Sequence, residues 1–315
     1  MPHSSTPIAL TGLKTYSIKD RKSLVSTDDF AKVWHPGNSF NRFLDSLPSI
    51  LAVKDLRDVI SAITDAARNK KAVILGMGAH VIKVGLAPVI IDLMERGIIS
   101  GVAMNGAGII HDFELAMAGQ TSEDVAGSLA DGTFGMARET GQFLCDAVNR
   151  AAKNSLGLGQ AVGRSIMEAN LPFGHLSILG AGARLGIPVT VHVAIGTDII
   201  HMRPDFNAAH AGQASHLDFR IFADLVSSLE KGVYLNVGSA VILPEIFLKA
   251  TSLVRNLGHK INDFTTVNMD FIRHYRPMAN VVNRPTATGG RGFNLIGHHE
   301  IMLPLVAAGV LEQLK

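Results

Sequence analysis

From residue 54 onward, short continuous apolar runs alternate with amphipathic stretches of helical period. The runs 72–75, 99–104, 187–193, 232–237 and 263–268 predict strands. The stretches 54–69, 80–96, 111–119, 137–152, 158–170, 214–229, 243–257 and 299–314 predict helices. A strand that is apolar without alternation is covered on both faces, as the strands of a parallel sheet are. The pattern therefore predicts an α/β fold, a parallel sheet with helices on both faces, in one domain over 51–315. Residues 1–50 lack this rhythm. Tyr16, Trp34, the segment His35-Pro36-Gly37-Asn38 and a short amphipathic stretch at 40–47 predict an arm that packs on the body or on a neighbouring subunit.

Apolar residues make up 47% of the chain and charged residues 18%, with a mean hydropathy of +0.25. That balance predicts deep burial together with a subunit interface. A net charge of +2, with no basic run interleaved with aromatics, argues against a nucleic-acid partner. Cys145 is the single cysteine, which excludes an internal disulfide and a cysteine zinc site and makes a reducing cytoplasm the default. The start, Met1-Pro2-His3-Ser4-Ser5, lacks the basic and apolar regions of a secretory signal. Residues 72–91 are apolar, but Gly76, Gly78, His80, Lys83, Gly85 and Pro88 interrupt them, so strand, turn and helix are expected there rather than a membrane span.

In parallel sheets ligands sit beyond the carboxyl ends of the strands, so the residues after each run are the candidate site. They are Gly76-Met77-Gly78, Asn105-Gly106-Ala107-Gly108, Ala194-Ile195-Gly196-Thr197-Asp198 with His201 close behind, Gly238-Ser239-Ala240, and Asn268-Met269-Asp270. All are small or polar, which lets a ligand approach the backbone and suits a dinucleotide laid across the sheet edge. NAD rather than NADP is expected, because a 2′-phosphate normally wants an Arg and these segments are poor in basic residues. Gly76-x-Gly78 is half of a dinucleotide fingerprint, the third glycine position holding Val81.

The second of these turns runs into His111, Asp112 and Glu114. His111 and Glu114, three apart, share a helix face while Asp112 points elsewhere. Close to the helix start, His111 is expected to be neutral near pH 7 and able to accept a proton. Lys83, about one turn into the helix after Gly78, is placed to reach the same crevice, as a partner for phosphate or as an imine-forming amine. His298-His299-Glu300 opens the last helix, but the spacing of zinc motifs is absent. His80, His192 and His216 read individually as hydrogen-bonded packing residues, and Gly180-Ala181-Gly182 as glycines that permit close packing. Residues 276–292, with Arg276, Arg284 and Arg291, predict a long loop that binds an anion or touches a subunit.

Together these segments resemble the deoxyhypusine synthase family, and more closely a bacterial branch of it. The match runs from about residue 70 to the C-terminus and is carried by Gly101-Val102-Ala103-Met104-Asn105-Gly106-Ala107-Gly108 with His111-Asp112. It continues at Ile187-Pro188-Val189, Gly238-Ser239-Ala240-Val241 and Leu303-Pro304-Leu305-Val306-Ala307. The resemblance implies a Rossmann-like fold in a cytoplasmic homotetramer, with NAD and active sites at a dimer interface. It implies a transferase that oxidises spermidine with NAD and passes the aminobutyl group through an imine on an enzyme lysine to a lysine of a translation factor; a relative makes homospermidine. By position it implies NAD contacts at Ala79, His80, Asn105, Gly106, Ala107, Thr197 or Asp198, Gly238, Ser239, Asn268, Met269, His298 and His299.

The chain departs from the family at three places. Ile110 and His111 stand at the paired glutamates, Leu243 and Pro244 at a Lys-His pair, and Asn283-Arg284-Pro285 near the imine-forming lysine, with no lysine between Lys260 and Lys315. Arginine stays protonated and forms no Schiff base. The expectation is therefore a related NAD-dependent reaction on another small-molecule amine, without a covalent lysine or with Lys83 in its place, using His111, Asp112, Glu114 and His201. Two other readings are a metal-assisted hydrolase using His111, Asp112, His201 and His298, and a non-catalytic nucleotide-binding oligomer.

Overall fold

A computed structural model describes residues 5–315. Its strands are β1 (Val73–Met77), β2 (Gly101–Asn105), β3 (Val189–His192), β4 (Val233–Val237), β5 (Thr265–Asp270) and β6 (Arg291–Ile296). They form one sheet in the order β3-β2-β1-β4-β5-β6, parallel throughout. The chain winds outward from β1 to one side and then from β4 to the other, so the order reverses between β1 and β4. Such a reversal opens a crevice at the carboxyl edge.

The helices are α1 (Phe40–Ser46), α2 (Leu51–Arg68), α3 (His80–Lys83), α4 (Ala87–Glu95), α5 (Gly106–Ala118), α6 (Val125–Leu129), α7 (Arg138–Lys153), α8 (Leu158–Ala169), α9 (Ile178–Leu185), α10 (Ala208–Ser227) and α11 (Ile242–Asn256). A short α12 (Tyr275–Pro277) continues as a π-helical turn, Met278–Asn283, and α13 (His299–Leu314) ends the chain. Alternate strand residues face opposite cores. Val73, Leu75 and Met77 join a large cluster with α2, α4 and α13, while Ile74, Ala103 and Tyr234 face Phe222 of α10 and Phe247 of α11. Tyr234 and Phe247 stack with centroids 3.8 Å apart.

Two expectations change. The helix expected over 80–96 is broken into α3 and α4, because Gly85 takes φ +81° and Pro88 restarts the helix in its first turn. The loop expected over 276–292 instead contains the π-helical turn and the start of β6. β6 is an edge strand, half-exposed, and so lacks the continuous apolar run of its neighbours. Gly182 does permit close packing, since a β-carbon there would strike Val189.

Residues 5–39 lie outside the sheet and its helices, with two short 3-10 turns at Ile18–Asp20 and Thr27–Asp29, and Ile8, Leu10, Leu24 and Val33 are exposed. Two backbone hydrogen bonds, Lys32 N–H to Ser46 and Ser49 N–H to Asp29, tie their end to α1. Among the described residues, no helix is long and apolar enough to cross a membrane.

Candidate functional site

Three groups of polar side chains stand at or near the carboxyl edge. The first lies where β2 and β3 end. Asn105 occupies the N-cap position of α5 in extended conformation, with no side-chain cap, and its Oδ1 is buried without a partner. Asp198 reaches over from the β3 loop, and a β-carbon on Gly106 would overlap its Oδ2. Burial raises the Asp198 pKa to about 6. His201 stands beside it, Nε2 at 3.9 Å from Asp198 Oδ2. The His201 Nδ1 accepts the N–H groups of Gly196 and Asp198, both at 3.1 Å, so the proton of the neutral ring is on Nε2. Burial lowers its pKa.

The second group is on α5 and its neighbours. Thr121 Oγ1 donates to Glu114 Oε2 at 2.6 Å, so it accepts from His111 Nδ1 at 2.7 Å. This chain fixes the tautomer and leaves the lone pair on His111 Nε2. Thr140 Oγ1 also donates to Glu114, at 3.2 Å. The His111 pKa is lowered to about 4, by burial first and then by the nearby Lys83 ammonium, rather than chiefly by the helix start. The ring is therefore neutral at pH 7.

The third group joins the ends of β1, β4, β5 and β6. The ring of His299, 1% exposed, stands against Gly238, which takes φ +67°. Its Nε2 donates to Met269 O at 3.3 Å, and its Nδ1 is buried without a partner. The His80 ring lies 5.7 Å from it, while Phe271 stacks on the exposed His298 with centroids 5.9 Å apart. Asp270 Oδ1 accepts the N–H of Phe271 at 2.8 Å and lies 3.9 Å from His299 Nε2.

Several expected site residues do other work. The Asp112 carboxylate is fully buried and accepts from the Ser177 hydroxyl and from the N–H groups of Ile178 and Leu179, pinning the start of α9 to α5. That contact is a structural staple. Gly76 lies under Tyr234, Gly78 against the Gly238 carbonyl and Gly108 against Met104, so neighbouring protein atoms by themselves require these three glycines. The Met269 side chain is in the core. Asn268 belongs to an amide ladder: Asn236 Nδ2 donates to Asn268 Oδ1, and Asn268 Nδ2 to Asn294 Oδ1, both at 2.8 Å. Ser239 Oγ accepts from Leu243 N–H at the start of α11, and Thr197 Oγ1 donates to Ala194 O.

Ala79 is buried, His80 and Lys83 are exposed, and Ala107 is half-buried. Thr121 and Thr140 were missed because nothing in their local sequence marks them; the fold alone brings them to Glu114. Among the described residues, no three His, Cys, Asp or Glu side chains converge as a metal ion would need. His111, Asp112, His201 and His298 are spread over all three groups and the α9 staple.

The chain superimposes on a candidate deoxyhypusine synthase from Entamoeba histolytica with a TM-score of 0.54, covering 90% of this chain and 97% of that one at 12% identity. The fold is deoxyhypusine synthase-like. It recurs in the cyanobacterial arginine dihydrolase ArgZ, with a TM-score of 0.50 and 16% identity over 84% of this chain. It recurs also in AgrE, solved with ornithine and NAD+, with a TM-score of 0.51 and 13% identity over 82% of this chain. The chain spans about a third of the length of ArgZ and of AgrE, 34% and 33%. At these identities the likeness is one of fold. No protein-family profile and no curated protein sequence matches the chain.

Proposed function

We propose that the chain is an NAD-dependent enzyme acting on a small amine at the carboxyl edge of its sheet. The observation that carries this reading is the reversal of strand order between β1 and β4, the arrangement in which dinucleotides bind. AgrE, which shares the fold, was solved with NAD+. The residues at the edge suit that cofactor. The start of α5, a helix of 13 residues without a side-chain cap, carries the Asp198 carboxylate over Gly106 at this edge. The Asp198 carboxylate accepts from ribose hydroxyls and repels a 2′-phosphate, which selects NAD over NADP. The orphaned Asn105 Oδ1 seeks a donor in the same place.

When bound, NAD would accept hydride from the carbon beside the substrate nitrogen. His111 Nε2, held as a lone pair by Thr121 and Glu114, would take a proton from the amine. A covalent lysine has no support from the geometry near residue 284, where Arg284 donates to Asn280 Oδ1 at 2.7 Å. The same reading makes the protein a homo-oligomer with its N-terminal arm on a neighbour, since the arm's apolar side chains have no cover of their own.

Incubating the purified protein with NAD and a panel of amines, spermidine among them, tests the proposal through NADH absorbance. A melting temperature that rises with NAD is expected. No response to NAD at millimolar concentration, together with no NADH from any amine, overturns it.

A further inference from the structure

The two edges of the sheet are finished differently. At β3 the outward backbone groups are taken by α10. Val191 N–H donates to Asp218 Oδ2 at 2.9 Å, Val193 N–H donates to Ser215 Oγ at 3.0 Å, and Ser215 Oγ donates to Val191 O at 3.0 Å. At β6 no side chain does this. Arg291 N–H donates to Phe264 O and Gly297 N–H to Asp270 O, which sets the phase of the ladder with β5. Gly292, Asn294 and Ile296 therefore turn their N–H and C=O groups away from β5. None of those groups has a hydrogen-bond partner among the described residues.

Sheets usually protect such an edge with proline, charge, a bulge or a covering helix. β6 contains no proline, its register with β5 is unbroken, and its one charged residue, Arg291, stands at its start. Gly292 and Ile296 are exposed and Asn294 is half-buried, so the edge is open to contact. A row of free donors and acceptors at strand spacing fits another extended backbone.

The N-terminal arm can supply one. Residues 13–17 belong to no helix or strand. The N–H groups of Lys14, Thr15, Tyr16 and Ser17 and the C=O groups of Leu13, Lys14, Thr15 and Tyr16 have no partner among the described residues. Thr15, Tyr16 and Ile18 favour strands. Tyr16 and Ile18, 73% and 71% exposed, are two apart and would share one strand face, with Thr15 and Ser17 on the other. Within one chain these two backbones stay unpaired, and Tyr16 and Ile18 stay uncovered.

We infer that residues 13–18 of one copy add as a strand to the β6 edge of a second copy, each copy giving its arm to the other. Such a reciprocal exchange closes about a twofold axis. The inference rests on the homo-oligomer proposed above and names the contact that would hold it.

Hydrogen exchange on the intact chain without NAD, read residue by residue, tests it. The variants are Tyr16→Glu with Ile18→Glu, changed only at exposed positions, and Ile296→Pro, which removes an outward N–H at an edge where proline is tolerated. In the unaltered chain the amides of Gly292, Asn294 and Ile296 are expected to exchange about tenfold or more slowly than in the arm variant. The amides of 14–17 are expected to lose the same protection in Ile296→Pro. Mixing the two variants leaves one intact contact per pair, so protection should return at Gly292, Asn294 and Ile296 of the arm-variant chain. The comparison with the arm variant stands even where Ile296→Pro does not fold. Unprotected amides in the unaltered chain, or β6 protection that survives the arm variant, overturns the inference. Protection that mixing does not restore places the arm on its own sheet, and the exchange between copies falls. A chain that sediments as an oligomer with both segments unprotected keeps the oligomer and loses this contact.

Discussion

Asp198 Oδ2 occupies the place that a β-carbon on Gly106 would take. The carboxylate thus rests directly on the backbone at the start of α5, where unpaired N–H groups and the helix dipole favour a negative charge. Gly106→Ala is expected to push Asp198 away and to cost about 1–3 kcal/mol of stability. Asp198→Ala in the same chain should relieve most of the overlap. A double-mutant cycle on chemical denaturation therefore gives a destabilisation well below the sum of the two single changes; strict additivity would mean the contact is not strained.

The same carboxylate is expected to set cofactor choice. With a pKa near 6, Asp198 is ionised above that pH and neutral below it. Discrimination against NADP should therefore be strong near pH 8 and weaken towards pH 5. Asp198→Asn should bind NAD more weakly and lose most of the preference at both values. Thermal shift with each cofactor reads this out, and a preference that ignores both pH and Asp198→Asn assigns the selection to another residue.

His111 is expected to act on the substrate more than on the cofactor. Once a substrate is found, His111→Ala should lower turnover far more than NAD affinity. Thr121→Val breaks the relay from His111 to Glu114 and should cause a smaller loss of the same kind. Lys83→Met removes the cation that adds to the depressed His111 pKa, so the imidazole should titrate above about 4. It should stay below the usual histidine value, because burial is the larger cause. NMR titration of the ring follows this shift, and an unmoved value would show that Lys83 does not act on His111.

Asp218 is expected to leave a mark on stability. Its carboxylate accepts the N–H groups of Gly159 and Val191, both at 2.9 Å, linking α10 to α8 and β3. Burial nevertheless raises its pKa to about 7. From about pH 4 to 7 the folded protein keeps a proton that the unfolded chain has released, so this group's contribution to stability falls as pH rises. The loss reaches at most about 4 kcal/mol. Buried histidines such as His192, whose pKa is lowered, act in the opposite sense below about pH 6.5, so the test is a difference. The parent's stability minus that of Asp218→Asn should decline between pH 4 and 7 and then level off. A difference that does not change with pH would place the Asp218 pKa at its ordinary value.

The linear pattern was enough for the α/β architecture. Five strands announce themselves because a strand covered on both faces must be apolar throughout, and the helices between them show a 3.6-residue period. β6 escaped because an edge strand covers only part of its surface, and half-exposed Arg291, Gly292 and Asn294 read as a loop. That small and polar residues follow each strand to one edge of the sheet was also legible. The role of each residue there was not. A glycine after a strand reads the same whether a ligand or another part of the chain approaches it; folding shows Gly76 against Tyr234, Gly78 against Gly238 and Gly106 against Asp198. Acidic residues divide in the same way: Asp112 is spent on α9 while Asp198 stays at the edge, a difference set by what packs around each carboxylate. Periodicity is a property of neighbours along the chain and survives in the sequence. Contacts between Asp198 and Gly106, or between His111, Thr121 and Glu114, depend on the crossing of elements, and only the tertiary structure decides those.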